Sequence, residues 1–318
     1  MCDVLCFGEA LIDMRGEQGE GGVHYVPQPG GAPANVAVGV ARLGGRAGFA
    51  GQVGNDVFGQ MIVRALSGYG VDTSLLATSD SSLTALAVVS LDAQGERSFS
   101  FYRTVTADLL YRSDQLPETA LKAARIFHLC SNTLTEPAIR DTSRRLVARA
   151  RQAGCLISFD VNFRPGLWPA WQDAPEIIGQ LARQADIVKF SREELEQLYG
   201  ENASALVDTL REQGVPLLVV SDGAATLRAF AGGETLRVEP PRVSAVDTTA
   251  AGDSFVAGLL FRLWQDRVSG AGFRQWLARE GELANALAFA SRCGAVTATR
   301  FGAFDALPEP NDLKAVSK

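Results

Sequence analysis

The sequence predicts an α/β protein: a mostly parallel central sheet flanked by helices, with a second, small β-sheet as a lid. Three observations predict it. Short continuous apolar runs such as Val4-Leu5-Cys6-Phe7 fit strands buried on both faces. Segments with helical apolar spacing follow most of these runs, and strand–helix alternation implies parallel strands with helices on both sides. Two stretches, about 15–30 and 83–104, break the alternation and read as extended pieces joined by turns. One domain over residues 1–318 accommodates the pattern.

Val4–Phe7 is the first strand. Gly8 follows, then Glu9-Ala10-Leu11-Ile12-Asp13, where Asp13 ends an apolar segment as a turn residue or as a carboxylate facing a crevice. Val23–Val26 reads as a strand. Gly30-Gly31-Ala32-Pro33-Ala34-Asn35 opens a helix, because Pro33 suits a first turn and Val36, Val40 and Leu43 recur at i, i+4 and i+7. Asn35 therefore lies near the positive end of a helix dipole. Gly51-Gln52-Val53-Gly54-Asn55-Asp56 reads as a turn-rich joint before a helix through Met61–Leu66. Thr84–Leu91 and Arg97–Arg103 alternate on either side of a turn at Asp92–Glu96, which makes a β-hairpin.

Beyond the hairpin, strands are expected at Ile126–Leu129, Leu156–Asp160, Asp186–Phe190 and Leu217–Val220. Helices are expected at Pro137–Gln152, near Ile177–Leu181, at Arg192–Tyr199 and at Leu206–Gln213. Arg237–Val243 is extended and interrupted by proline. Next comes Val246-Asp247-Thr248-Thr249-Ala250-Ala251-Gly252-Asp253, a small-residue loop that runs into an apolar helical stripe of Phe255, Val256, Leu259, Leu260 and Leu263. A second long helix passes through Glu282–Arg292. Small residues let a ligand approach the backbone, and free N–H groups at a helix start favour an anion. Asp253 reads either as the cap of its helix or as a base that takes a proton from an attacking hydroxyl. Asp13, Asp160, Asn162, Lys189, Ser221 and the Asp253 loop all fall at or near predicted strand ends, where parallel α/β sheets bind ligands.

Composition narrows the classes. Apolar residues make up 47% of the chain, enough to fill a core. The net charge of −6 argues against general nucleic-acid binding. Five scattered cysteines read as buried small hydrophobes in a reducing compartment, and two histidines leave little for a His-based triad or metal cluster. No run approaches the roughly 18 apolar residues of a membrane span, so a cytoplasmic protein is expected. The glycine-rich phosphate loop ending in Gly-Lys-Ser/Thr and the dinucleotide motif at a strand–helix junction are both missing.

Two motifs remain: Gly30-Gly31-Ala32-Pro33-Ala34-Asn35 with Arg42-Leu43-Gly44, and Asp247-Thr248-Thr249-Ala250-Ala251-Gly252-Asp253. With the intervening Gly51-x-x-Gly54-x-Asp56-x-x-Gly59, they resemble the signatures of the ribokinase/PfkB family of sugar kinases, and the resemblance runs from end to end. It implies a ribokinase-like fold. Asp253 would be the catalytic base, with Ala250, Ala251 and Gly252 as the anion hole. Asp13, Gly31 and Asn35 would bind the sugar. Ser221 and Gly223 would grip nucleotide phosphates, Lys189 would contact phosphate or stay solvated, and Asn285 would line the adenine pocket. Glu194 would be linked to magnesium, while Asp247 and Thr249 would hold a monovalent cation such as potassium. The extended stretches would form a lid that makes homodimers.

Two residues depart from the family pattern. Ala250 stands where glycine is usual, and an ordinary backbone region is expected there; Ser191 replaces the asparagine of the family's Asn-x-x-Glu. Ser98–Arg103, Ala107-Asp108, Lys189–Glu194 and Asp160-x-Asn162-x-Arg164 resemble the fructokinase branch. The implied activity is transfer of the ATP γ-phosphate to the 6-hydroxyl of fructose. 2-Keto-3-deoxygluconate kinases share much of this, and Arg103 or Arg164 would serve a neutral sugar or a carboxylate. A sugar-binding sensor without catalysis is the alternative from another class.

Overall fold

The computed structural model describes residues 2–19, 21–91 and 97–314. The chain order is β1 (Val4–Phe7), β2 (Leu11–Gly19), β3 (Gly22–Gly30), α1 (Ala32–Arg42), β4 (Ala47–Gly54), α2 (Val57–Gly68), β5 (Asp72–Ser79), β6 (Leu86–Leu91) and β7 (Arg97–Tyr102). There follow α3 (Glu118–Ala123), β8 (Ile126–Cys130), α4 (Pro137–Gln152), β9 (Leu156–Asp160), α5 (Ala174–Ala182), β10 (Ile187–Ser191), α6 (Arg192–Tyr199) and α7 (Ala203–Glu212). The chain continues with β11 (Leu217–Asp222), β12 (Ala225–Ala231), β13 (Glu234–Val238), α8 (Ala251–Gln265), α9 (Phe273–Leu277) and α10 (Glu282–Ala298).

Nine strands form the main sheet in the order β13-β12-β11-β10-β9-β8-β1-β4-β5. Every pairing is parallel except β11–β12 and β12–β13. Strand alternation divides the core. Leu5 and Phe7 face the layer built from α3 to α7, while Val4 and Cys6 face the layer of α1, α2, α8, α9 and α10. Helices on both faces explain why the parallel strands are apolar throughout.

The small sheet has the order β3-β2-β6-β7. β2–β3 and β6–β7 are antiparallel hairpins, but β2 and β6 run parallel, with Asp13 opposite Ala87. The turn expected at Asp92–Glu96 lies outside the described residues. β2 starts at Leu11, upstream of the expected stretch, and it carries Asp13 within the strand. Asp13 is therefore no turn residue.

Other expectations need correction. Gly51–Gly54 belongs to β4 and not to a joint. A side chain at Gly51 would meet the Gly8 carbonyl oxygen at 2.5 Å, so glycine there answers close strand packing. The edge strands β5 and β13, and β12 next to β13, are not expected from the sequence; each is only partly buried and lacks a continuous apolar run. All five cysteines are free and buried, as expected. Among the described residues no helix is long and apolar enough to cross a membrane.

Candidate active site

The parallel strands end on one side of the sheet, and the starts of α1 and α8 meet over those ends. The junction is covalently distant but physically tight: Asn35 Nδ2 donates to Asp253 Oδ2 at 2.7 Å across 218 residues of sequence. Asn162, just past β9, donates its Nδ2 to Asp253 Oδ1 at 2.9 Å. Both oxygens of one buried carboxylate are thus aimed by amides from two separate elements. Asn162 reaches this position with φ 41°, a left-handed backbone that asparagine tolerates better than most residues.

Asp253 is not the cap of α8. The cap position is Ala250, and no side chain bonds to the helix start. Asp253 lies three residues further on, so its carboxylate is free for the two amides and for a ligand. Ala250 has φ 58° and ψ 6°, which corrects the expected ordinary backbone; alanine in that left-handed region is strained by about 1–2 kcal/mol.

Lys189 supplies positive charge beneath this helix start. Its Nζ lies 3.3 Å from where a side chain on Gly252 would begin, so the glycine lets the amine sit close under the helix start. The amine donates to both oxygens of Asp160, at 3.0 and 3.1 Å. Burial alone would lower the lysine's pKa, but the Asp160 and Glu194 carboxylates outweigh it and keep the ammonium charged. Lys189 is therefore no solvated strand-end lysine.

Burial pushes the Asp13 carboxyl up to about 7, and the Asp253 carboxylate adds to the rise while Arg164 opposes it. Burial also raises Asp253, against the Asn35 hydrogen bond, Lys189 and Arg164. Asp13, Asp253 and Arg164 therefore share one electrostatic neighbourhood. Gly30 cannot carry a side chain because the Asp13 carboxylate occupies that space. Gly31, with φ 109°, packs against the Glu9 carbonyl, where a side chain would begin 2.5 Å from that oxygen.

The remaining expected site residues divide. Glu194 is buried, and its two oxygens accept from Phe163 N at 3.1 Å and Ser191 N at 2.7 Å. Asp247 is also buried; its oxygens accept from Thr249 N at 2.8 Å and Gly302 N at 3.2 Å, which holds the loop before α8. Ser221 lies one residue before the end of β11, beside Ser191, and Gly223 turns the chain with φ 53°, on the same side of the sheet. Asn285 is exposed in the first turns of α10, with no bond to the Asp253 group. Arg103 is enclosed: its Nε donates to Asp108 at 2.6 Å, Nη1 to Thr135 at 3.3 Å and Nη2 to the Asn132 carbonyl at 2.9 Å. Arg164 is about half exposed; its Nη1 donates to the Phe163 carbonyl at 3.1 Å and lies 3.9 Å from Glu194 Oε1. His128 is a core histidine, bonded to Ser158 at 3.0 Å and pushed down to about 3 by burial.

Residues 1–310 match the pfkB family carbohydrate kinase profile. The chain belongs to that family. It is 39% identical to probable fructokinase-5 of Arabidopsis thaliana, over 99% of this chain and 97% of that one. It is 40% identical to fructokinase-1 of rice, Oryza sativa subsp. japonica, over 96% and 94%. The crystal structure of fructokinase with bound ATP from Xylella fastidiosa superposes with a TM-score of 0.93 at 38% identity, covering 98% of this chain and 97% of that one. A Vibrio cholerae fructokinase, bound to fructose, ADP and potassium ion, superposes with a TM-score of 0.87 at 33% identity, covering 100% and 99%.

The crevice brings together Asp13 and the Gly31 turn, the α8 start with Lys189, and the doubly bonded Asp253 carboxylate. Asn162 is the functional residue that motif reading left without a role. Its signal was its place just after a predicted strand, in Asp160-x-Asn162-x-Arg164.

Proposed function

We propose that this pfkB carbohydrate kinase transfers the γ-phosphoryl group of ATP to the 6-hydroxyl of D-fructose, with Asp253 as general base. One observation carries the reading: the Asp253 carboxylate is oriented through both oxygens at an uncapped helix start with an ammonium group beneath it. The relatives that are most similar here and are named fructokinases support the choice of sugar.

The chemistry follows from the residues. Asp253 takes the hydroxyl proton as the oxygen attacks phosphorus, a step worth typically 10²–10⁴-fold. The Gly252 amide, with Lys189, offsets negative charge that builds on the transferring group, whereas the Ala251 amide already donates to the Thr248 carbonyl at 3.2 Å. Asp13, partly protonated near neutral pH, donates to or accepts from a sugar hydroxyl. Ser221, Gly223 and Asn285 bind the nucleotide. Magnesium supplies charge neutralisation at the phosphates when bound. Glu194, which shares the electrostatic neighbourhood of Asp253 and Lys189, is the carboxylate that would stand near it. Asp247 and Thr249 hold a monovalent cation; the Vibrio cholerae fructokinase bound to fructose and ADP carries potassium.

The small sheet acts as a lid that excludes water. Val23, Tyr25 and Tyr102 are exposed on it, and Met14, Tyr25, Leu86, Val88 and Tyr102 line a cavity of about 220 Å³. A second copy of this chain covers that surface; light scattering that finds a monomer would remove the dimer.

2-Keto-3-deoxygluconate ranks second. Arg103 is already committed to Asp108 and Asn132, which leaves Arg164 alone to meet a carboxylate. A coupled ADP assay with fructose, 2-keto-3-deoxygluconate, ribose and adenosine side by side tests the proposal. The largest kcat/KM is expected for fructose. A larger value for the keto acid reverses the ranking, and ADP release with none of them restores the sensor reading.

A further inference from the structure

Glu9 has no role in the chemistry above, yet it is 1% exposed and sits at the β1–β2 junction. A buried carboxylate is costly unless its bonds are well made, and replacing such a group by an apolar one is often neutral or stabilising. Its position calls for an explanation beyond stability.

The contacts of Glu9 are specific. Its Oε1 accepts from Ala32 N at 3.2 Å and from Asn132 Nδ2 at 2.9 Å. Its main-chain oxygen lies against Gly31, 2.5 Å from where a side chain would begin. Carboxylate and backbone together therefore grip the turn in which β3 of the small sheet passes into α1. Asn132 continues the chain of bonds, because its carbonyl accepts from Arg103 Nη2 at 2.9 Å and from Thr135 Oγ1 at 3.2 Å. Arg103 directly follows β7, the other strand by which the small sheet returns to the body. Asp108 Oδ2 takes the arginine's Nε at 2.6 Å, while Asp108 Oδ1 accepts from Thr106 Oγ1 at 2.6 Å. Burial raises Glu9, while Arg103 and the Asn132 bond favour its charged form.

We infer that Glu9 is a positioning residue for the sugar: it ties the Gly31–Ala32 turn, through Asn132, to the Arg103 anchor of the small sheet. The two exits of that sheet are thereby held in one register over the acceptor side of the crevice. The inference rests on the sugar-kinase reading of the site, and it concerns the sugar half alone. Ser221 and Gly223, on the nucleotide half, have no bond to this network among the described residues; the α8 start meets it through Asn35, which donates its main-chain N–H to the Gly31 carbonyl at 2.8 Å and its Nδ2 to Asp253 at 2.7 Å.

The test compares Glu9→Ala with Glu9→Gln. Glutamine keeps an oxygen for Ala32 N and Asn132 Nδ2, and alanine keeps none. Glu9→Ala is expected to raise the KM for fructose by roughly tenfold or more, the scale of a lost charge-assisted bond. The KM for ATP should stay within about twofold, and Glu9→Gln should restore most of the sugar KM. A parallel rise in both KM values, or a glutamine variant as impaired as the alanine one, overturns the inference. If Glu9→Ala does not fold, Asn132→Ala decides, because it removes one bond to Glu9 and leaves the carbonyl that holds Arg103. That variant should raise the sugar KM several-fold with the ATP KM unmoved. An unchanged sugar KM overturns the inference. Wild-type enzyme that ignores fructose defeats the choice of sugar, and the same comparison is then made with the sugar it does phosphorylate.

Discussion

Four helices in this molecule begin in two different ways. α2 and α6 are closed by their own side chains. Asp56 accepts from Gly59 N at 2.8 Å, and Ser191 with Glu194 forms a reciprocal box, at 3.1 and 2.7 Å. α1 and α8 have no cap from their own first residue; they start from Gly31 and Ala250, both with positive φ, and at α1 the distant Glu9 accepts from Ala32 N. The electrostatics differ in the same sense. Although burial opposes it, the amides of Gly59 and Thr84 hold Asp56 below the usual carboxylate range. Burial instead raises Asp253 and Asp13, at the open pair. A cap satisfies the first N–H groups of a helix and stabilises the fold; an open start leaves them for a ligand, at the expense of stability. Among the helices without a cap from their own first residue, α1 and α8 are the pair whose first turns meet, at Asn35 and Asp253.

The strongest way to break this contrast is Asp253→Asn. If the α8 start serves a ligand and its carboxylate serves as base, turnover falls by roughly 10²- to 10⁴-fold. ATP affinity, measured by calorimetry, should stay close to wild type, because the helix start and Lys189 are untouched. If Asp253 only complements the helix dipole, turnover survives and the melting temperature drops slightly. The two outcomes are opposite in both readouts.

Asp13→Asn sharpens the contrast through pH. The folded pKa of Asp13, about 7, lies above its ordinary value of 3.8. A carboxyl raised on folding stabilises the protein fully below its unfolded pKa, and that contribution is lost as pH rises through the folded value. The unliganded wild type should therefore melt lower at pH 8 than its other groups dictate, and Asp13→Asn should recover a few degrees there and nothing near pH 4. Fructose affinity should fall by roughly tenfold at the same time. A variant that melts lower at pH 8 would show that Asp13 is a structural residue.

The same contrast explains what was readable beforehand. Helix α6 spans Arg192 to Tyr199, the residues expected from the sequence, and the Ser191–Glu194 capping box that starts it is a finding of the structure. α4 and β9 were likewise legible, one from helical apolar spacing and the other from a continuous apolar run. The Asp253 and Asn35 loops stood out through small residues ahead of an apolar stripe. What stayed hidden was set by distance along the chain. The Asn162–Asp253 bond spans 91 residues, and the Glu9–Asn132 bond spans 123. No local pattern encodes either. β4 was misread because glycine normally signals a turn, whereas Gly51 answers an approach by Gly8 from a neighbouring strand. The edge hairpin β12–β13 carries a mixed, half-exposed pattern that matches neither a buried parallel strand nor a helix.

The smallest effect belongs to Ala250. At φ 58° its Cβ crowds the following carbonyl, a strain of about 1–2 kcal/mol that glycine would not carry. Glycine also gives the unfolded chain more freedom, which returns about 0.4–1 kcal/mol. The difference predicts that Ala250→Gly stabilises the protein by somewhat under about 1 kcal/mol in denaturant unfolding. Ala250→Val should do the reverse and by more, because a β-branched side chain in the left-handed region is a rare outlier. Helix starts closed by a side chain offer no such gain: Asp56 has φ −128°, an ordinary extended value. If Ala250→Gly instead loses stability, the left-handed start of α8 stores no strain. The open helix start would then be as relaxed as the capped ones, and the cost assigned to keeping it free for a phosphate would fall on the buried carboxylates alone.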